Sequence, residues 1–196
     1  MTLAAGSLAP DFTLDSTEGA LSLHELRGEK VVLYFYPKDD TPGCTQEACE
    51  FRDAFKRLEN QGAVVLGVSK DTLDSHNRFR GKHGLPFTLL TDADNAVAKS
   101  YGAYGEKMMY GKRILGTIRS TFLIDAEGKV VRVWSPVKVA GHVDSVLAAL
   151  EGKAEPVAKP KVVAKSKSKP KSKPKPKLKP KLKAKRAPKA RRAKAR

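Results

Sequence analysis

Cys44 and Cys49 are the only thiols among 196 residues, and Cys44 sits where a chain can make sulfur reactive. An apolar run, Val31 to Tyr36, stops at Pro37; a short polar loop with Pro42 and Gly43 follows. Cys44 then stands where a helical spacing, carried by Ala48, Phe51, Phe55 and Leu58, begins. A thiol at a helix N-terminus meets unpaired backbone N–H groups and the positive end of the macrodipole, and both favour thiolate over thiol. Two cysteines cannot staple a domain of this size, which can bury an adequate core without them. The pair therefore reads as catalytic or metal-binding rather than structural. A zinc site wants about four ligands, whereas His24, His76, His83 and His142 are scattered singly and read as surface or packing histidines. No metal and no cofactor is expected.

The Cys-x4-Cys spacing has a geometric consequence. On one regular helix the two Cα atoms are about 8.6 Å apart and the side chains point about 140° away from each other. A disulfide needs a Cα separation of roughly 4.4–6.8 Å. The pair can join only if the first turns unwind, so the spacing predicts two states: a folded helix with Cys44 as a lone nucleophile, and an unwound one carrying the bond.

The elements that must hold these residues alternate in type. Phe12 to Leu14 and Leu21 to Leu23 flank a turn and predict a small hairpin; Val31 to Tyr36 and Val64 to Val68 predict buried strands. A helix is expected over 45–58. Asp71 is expected to cap another that runs to His83 and stops at Gly84 and Pro86. Phe87 to Leu90 predicts a strand and Ala93 to Tyr101 a helix. Thr121 to Ile124 and Val130 to Trp134 flank Asp125-Ala-Glu-Gly-Lys, a hairpin turn, before a helix over Val143 to Leu150. Such alternation, ending in an antiparallel hairpin, implies an α/β fold: a mixed sheet with helices on both faces. A cysteine between the first long strand and its helix points to the thioredoxin-like layout.

Charge divides the chain unevenly. Residues 156–196 hold 19 of the 38 Lys and Arg and none of the 21 Asp and Glu, so residues 1–155 carry a formal −2 and the tail all of the net +17 and more. Lysine occupies every odd position of the run Lys165, Lys167, Lys169, Lys171, Lys173, Lys175, Lys177, Lys179, Lys181, Lys183, Lys185, and Arg186, Arg191 and Arg192 follow. Prolines at 170, 174, 176 and 180 oppose both helix and strand, so an extended, disordered tail is expected beyond a globular domain over 1–155. Its composition is similar to the termini of linker histones. That charge density suits phosphate backbones, and with no aromatic residue after Trp134 any nucleic-acid binding would be independent of sequence. Solubilisation and attraction to anionic membrane surfaces are the other readings of such a tail. The N-terminus has no basic and apolar regions of a secretory signal, and no apolar run is long enough to cross a bilayer, so a cytoplasmic protein is expected, nucleoid-associated where the tail binds DNA.

The run Pro37-x3-Thr41-x2-Cys44 resembles the active-site signature of peroxiredoxins, the thiol peroxidases that reduce hydroperoxides. The longer Asp-Asp-Thr-Pro-Gly-Cys-Thr-Gln-Glu-Ala-Cys49 is similar to the bacterioferritin comigratory protein, or peroxiredoxin Q, subgroup. So are Ala9-Pro-Asp-Phe12, His83-Gly-Leu-Pro-Phe87, and Tyr110 to Asp125 with Arg119 inside it. The likeness spans about residues 3–151 and leaves out the tail. It implies that Cys44 is the peroxidatic cysteine, oxidised to a sulfenic acid by hydrogen peroxide or an organic hydroperoxide. It implies that Cys49 resolves it as an intramolecular disulfide, and that thioredoxin or a similar dithiol regenerates the pair. Thr41 would hold the peroxide or thiolate through its hydroxyl, Arg119 would complete the site, and Pro37 would shield the sulfur from water. A monomer is expected. Physical chemistry agrees, because a guanidinium stabilises charge developing as the O–O bond stretches and a hydroxyl can both donate and accept. From the residues alone, Arg119 equally suits a surface ion pair, and Thr41 suits the N-cap of the helix.

Two rivals stand beside an enzyme held near DNA by its tail. One is a nucleoid-associated DNA-binding protein whose body senses redox state or is a passenger. The other is a copper-handling thiol protein of the same fold, which would use Cys-x3-Cys, a spacing that disagrees with this chain.

Overall fold

The computed structural model describes residues 3–109 and 112–152. The expected tail lies outside the described residues. The described elements belong to one compact unit. Strand β1 (Thr13–Ser16) turns back as β2 (Gly19–Ser22), and a 3-10 turn, Leu23–Leu26, leads to β3 (Lys30–Phe35). Helix α1 (Pro42–Asn60), β4 (Ala63–Ser69), α2 (Leu73–His83) and β5 (Thr88–Thr91) follow, each helix joining two parallel strands. A short α3 (Ala96–Ser100) precedes a hairpin of β6 (Tyr104–Met109) and β7 (Lys112–Thr117). Then come β8 (Ser120–Ile124), β9 (Val130–Trp134) and α4 (His142–Leu150).

Seven strands form one sheet in the order β2-β1-β5-β4-β3-β8-β9, and β6-β7 form a separate two-stranded sheet. The centre, β3, β4 and β5, is parallel; β8 runs antiparallel to β3, and β9 to β8. This is the mixed sheet with helices that the alternation implies, in the thioredoxin-like arrangement. Side chains alternate across the pleat, so β3 serves two cores at once. Val32, Tyr34 and Tyr36 pack with Phe51 and Leu58 of α1, Phe79 of α2 and Val146 of α4. Val31, Leu33 and Phe35 pack with Val97 and Ala98 of α3 on the other face. Where β3 crosses β4, Tyr34 lies opposite Gly67, and a Cβ at Gly67 would come within 2.7 Å of the Tyr34 hydroxyl. Only glycine leaves that ring its space.

Three local readings change. Asp71 does not cap α2: Thr72 does, its hydroxyl accepting from the Ser75 amide, and Asp71 instead accepts from the Asp39 amide at 2.9 Å. The helix expected over 93–101 is shorter, because the Asp92 carboxylate takes the amides of Val97 and Ala98 and sets the start later. The β6-β7 hairpin has no counterpart in the sequence reading. Gly84 does end α2, in a left-handed conformation with φ 60°.

The topology places the chemistry. The three parallel strands end on one side, and the loops that follow them gather there, the position where open α/β sheets present their sites. Because β8 starts opposite the end of β3, with Ser120 paired to Phe35, residue 119 enters the same corner.

Candidate active site

Cys44 is the third residue of α1, after Pro42 at the first helical position, and its side chain is buried. The first intrahelical bond runs from the Thr45 amide to the Thr41 carbonyl at 2.8 Å. The amides of Gly43 and Cys44 precede it, so the helix itself leaves them unclaimed. Proline at the preceding position has no N–H to lose and arrives with helical φ. These local choices leave two unclaimed donors at the helix start that carries Cys44.

Arg119 crosses to that sulfur from a segment 75 residues away. Its Nη2 donates to Cys44 Sγ at 3.1 Å, and it passes over Gly43, whose missing Cβ would stand 3.5 Å from the same nitrogen. Nη1 donates to Glu47 Oε2 one turn further along α1. The Arg119 side chain is 16% exposed, which removes the surface-pair reading, and Glu47 is fully buried. Burial pushes the Glu47 carboxyl up to about 7, against the opposing pull of Arg119. Burial also disfavours the guanidinium's charge, but Glu47 and Cys44 outweigh it and hold Arg119 firmly cationic. Thr41 stands at the N-cap position of α1, but its hydroxyl makes no capping bond and donates instead to the Lys38 carbonyl at 3.0 Å, so its oxygen keeps lone pairs that can accept. Pro37, Thr41, Cys44 and Arg119 all line one cavity of about 540 Å³. Cys49 lies outside it, on the same helix as Cys44 and half-buried, and both sulfurs are free thiols.

The loop from Pro37 to Thr41 is pinned by groups that sequence reasoning passed over. Asp39 is buried; its carboxylate accepts from the Tyr36 hydroxyl at 2.8 Å and the Ser75 hydroxyl at 2.8 Å, and lies 2.9 Å from His76 Nδ1. Burial alone would raise the Asp39 carboxyl, but His76, Ser75 and Tyr36 together hold it below the ordinary range. His76 Nε2 faces the Leu90 carbonyl at 3.2 Å, so this histidine is a structural tie between α2, β5 and the loop. Asp40 next to it adopts a left-handed backbone, φ 55°, and its carboxylate accepts from Lys82 at 3.0 Å. Sequence reasoning gave Glu47 no role. Its position three after Cys44, on the turn above the sulfur, was the available signal.

A sulfur at a helix start, bonded to a buried cation that a carboxylate anchors, is placed so that negative charge on it would meet a fixed partner. The comparisons with known proteins agree with that chemistry. The AhpC/TSA family model matches residues 5–133. This chain belongs to the AhpC/TSA family. Within it the chain is 54% identical over 151 residues to the putative peroxiredoxin bcp of Coxiella burnetii, matching 76% of this chain and all of that one. It is 44% identical to peroxiredoxin Bcp of Bacillus subtilis, over 79% of this chain and 99% of the other. A structure of the Xanthomonas campestris bacterioferritin comigratory protein, described for alkyl peroxide reduction, superposes with a TM-score of 0.71 at 43% identity, covering 78% of this chain and 100% of that one. A cysteine variant of Xylella fastidiosa PrxQ gives 0.73 at 36% identity, over 79% and 99%. The resemblance read from the sequence is thereby established, and the protein is an enzyme of the peroxiredoxin type. About a fifth to a quarter of the chain has no counterpart in these relatives. Among the described residues no group of His, Cys, Asp and Glu could hold a metal ion, and no helix is long and apolar enough to cross a membrane.

Proposed function

We propose that the chain reduces hydroperoxides at Cys44 and is regenerated through Cys49 by thioredoxin or a similar dithiol. The observation that carries this is the 3.1 Å bond from Arg119 to Cys44 Sγ, with the guanidinium held by Glu47. The Cys44 thiolate attacks the terminal peroxide oxygen. An S–O bond forms, the O–O bond breaks, and the departing alkoxide or hydroxide takes a proton to leave as alcohol or water. Sulfur is oxidised to the sulfenic acid as the peroxide is reduced. Arg119 and the Gly43 and Cys44 amides face the charge that moves onto oxygen, while Thr41 orients the peroxide for in-line attack and Pro37 limits water. The Cys49 thiol then displaces water from the sulfenic acid to give the disulfide, and two thiols of the reductant restore both cysteines.

Peroxide consumption coupled to thioredoxin and its reductase tests this. Cys44→Ser should abolish turnover. Cys49→Ser should undergo the first oxidation, stall at the sulfenic acid and over-oxidise. Coupled cycling at the wild-type rate in Cys49→Ser would remove Cys49 from the resolving role, and activity retained in Cys44→Ser would remove the central claim.

The basic segment over 156–196 adds a second reading, a tether to DNA that places a scavenger beside its target. Nineteen positive charges and no negative one support it. The alternative of a nucleoid protein with a sensing body differs in one measurable respect: a sensor oxidises once and does not turn over.

A further inference from the structure

The cavity above Cys44 is far larger than hydrogen peroxide needs. It holds about 540 Å³, whereas a molecule of water occupies about 30 Å³ of liquid. Its walls divide by chemistry. Ile114, Leu115 and Tyr104 of the β6-β7 hairpin give an apolar side, and Leu115 is 68% exposed there. Lys38, Lys70, Lys107 and Arg119 give the charge, and among the described residues no carboxylate lines the cavity.

The nearby acids are engaged elsewhere. Glu47 takes Arg119, Asp39 takes His76, Asp40 takes Lys82 and His83, and Asp92 takes two amides. Glu106, on the hairpin, faces Arg113 at 3.7 Å. With Glu47 and a Cys44 thiolate both set against Arg119, the three lysines remain without a counter-ion from the described residues. Lys107 differs from the other two because it is half-buried, whereas Lys38 and Lys70 are exposed. Its stem crosses the bare backbone of Gly116, where a Cβ would come 3.2 Å from Cε, and its Nζ donates to the Thr117 carbonyl at 2.7 Å. That bond uses one of three N–H donors and fixes the direction of the ammonium. Burial pulls the Lys107 ammonium down from its ordinary range; the Cys44 charge opposes this, and Arg119 and Lys70 add to it. A cation held half-desolvated among other cations, with donors to spare, is a place for an anion.

We propose that Lys107 is a specificity-determining residue, and that the cavity takes organic hydroperoxides that carry a carboxylate on a short alkyl body. The peroxide sits against Cys44 and Arg119 on their cavity side, the alkyl body lies against Ile114 and Leu115, and the carboxylate is held by Lys107. The body must be short, because Lys107 and Cys44 line the same cavity. The inference rests on the peroxidase reading above and adds a substrate class to it.

The test uses the full chain and a matched pair, 4-hydroperoxy-4-methylpentanoate and its methyl ester, with hydrogen peroxide as reference. Wild type should show a higher kcat/KM for the carboxylate than for the ester, and the preference should shrink as salt rises. Lys107→Met should lower the carboxylate-to-ester ratio by about ten-fold, the size expected for one half-buried charge pair. Lys107→Arg, which keeps the charge, should restore it. A wild type that does not prefer the carboxylate, or a ratio unchanged in Lys107→Met, overturns the proposal; equal losses on both substrates would mean that Lys107 serves the thiolate alone. A readout without turnover separates this from failure of the peroxidase reading. In Cys44→Ser, calorimetry should show the carboxylate binding more tightly than the ester, and that difference should vanish when Lys107→Met is added. Equal binding of the two overturns the proposal whatever the wild type does to peroxide.

Discussion

Arg119 has two duties for one guanidinium, since Nη2 reaches the sulfur at 3.1 Å while Nη1 holds the buried Glu47. A long side chain free to rotate would lose much of its value to the transition state, so the carboxylate acts by position as well as by charge. Glu47→Ala should therefore lower kcat/KM for hydrogen peroxide by about ten- to a hundred-fold, the range that loss of a charged hydrogen bond of 1.5–3 kcal/mol implies. Glu47→Gln keeps an acceptor oxygen at the same reach and should recover most of that loss. Stopped-flow oxidation of Cys44 in the three proteins reads the first step alone. If Gln is as damaging as Ala, the charge of Glu47 matters and its geometry does not. The spacing of three from Cys44 places this glutamate on the turn above the sulfur, but nothing in Thr-Gln-Glu-Ala distinguishes a buried ion-pair partner from a solvated helix face. Cys44 was legible, since strand, loop and helix signals meet at it. Arg119 was reached only through the resemblance, because its partner lies 75 residues earlier and no local pattern records the pairing.

The same division holds for the elements. Strands β3 and β4 are continuous apolar runs because both of their faces are buried, and such runs announce themselves. The hairpin of β6 and β7 pairs only with itself outside the main sheet, and its Gly105, Lys107, Arg113 and Gly116 interrupt any alternation. It was missed for that reason, yet it supplies one wall of the site. Helix α1 carries the element-scale prediction. Cys44 and Cys49 share it as free thiols, and helix geometry keeps their Cα atoms about 8.6 Å apart. The disulfide proposed above must open the first turns, whereas the loop before them is tied by Asp39 to Tyr36, Ser75 and His76, and by its amide to Asp71. Amide exchange should quicken across residues 45–52 on oxidation and stay unchanged at Asp39. Equal protection of 45–52 in both redox states would contradict unwinding, and loss of protection at Asp39 would show that the tie is not the boundary.

At the scale of the whole molecule, His142 couples the fold to pH and the basic segment couples it to its surroundings. Burial and then the nearby charge of Arg119 lower His142 to about 4, and its Nε2 lies 2.8 Å from the Thr121 hydroxyl. In the unfolded chain the same ring titrates near its ordinary value of about 6.5. The unfolded state thus gains a proton first, so stability present above about 6.5 is lost as pH falls toward 4. The loss is on the order of 3 kcal/mol at most for this shift. Urea unfolding of wild type and His142→Asn across that window should differ by a pH-dependent amount, and parallel curves would mean the ring is not the sensor. Residues 156–196 act through charge alone in the reading proposed here. Deleting them leaves 19 basic against 21 acidic side chains, and every residue assigned to the chemistry remains. The truncated protein should keep its peroxidase rate and should not retard duplex DNA, while the full chain should retard duplexes of any sequence. Its affinity should fall with a log–log salt slope of about −0.9 for each phosphate neutralised. Binding that survives the deletion, or that ignores salt, would show that the segment is not an electrostatic anchor. Oxidative strand breaks counted at equal peroxidase activity then decide its use: equal damage with full and truncated protein would leave it without a protective role.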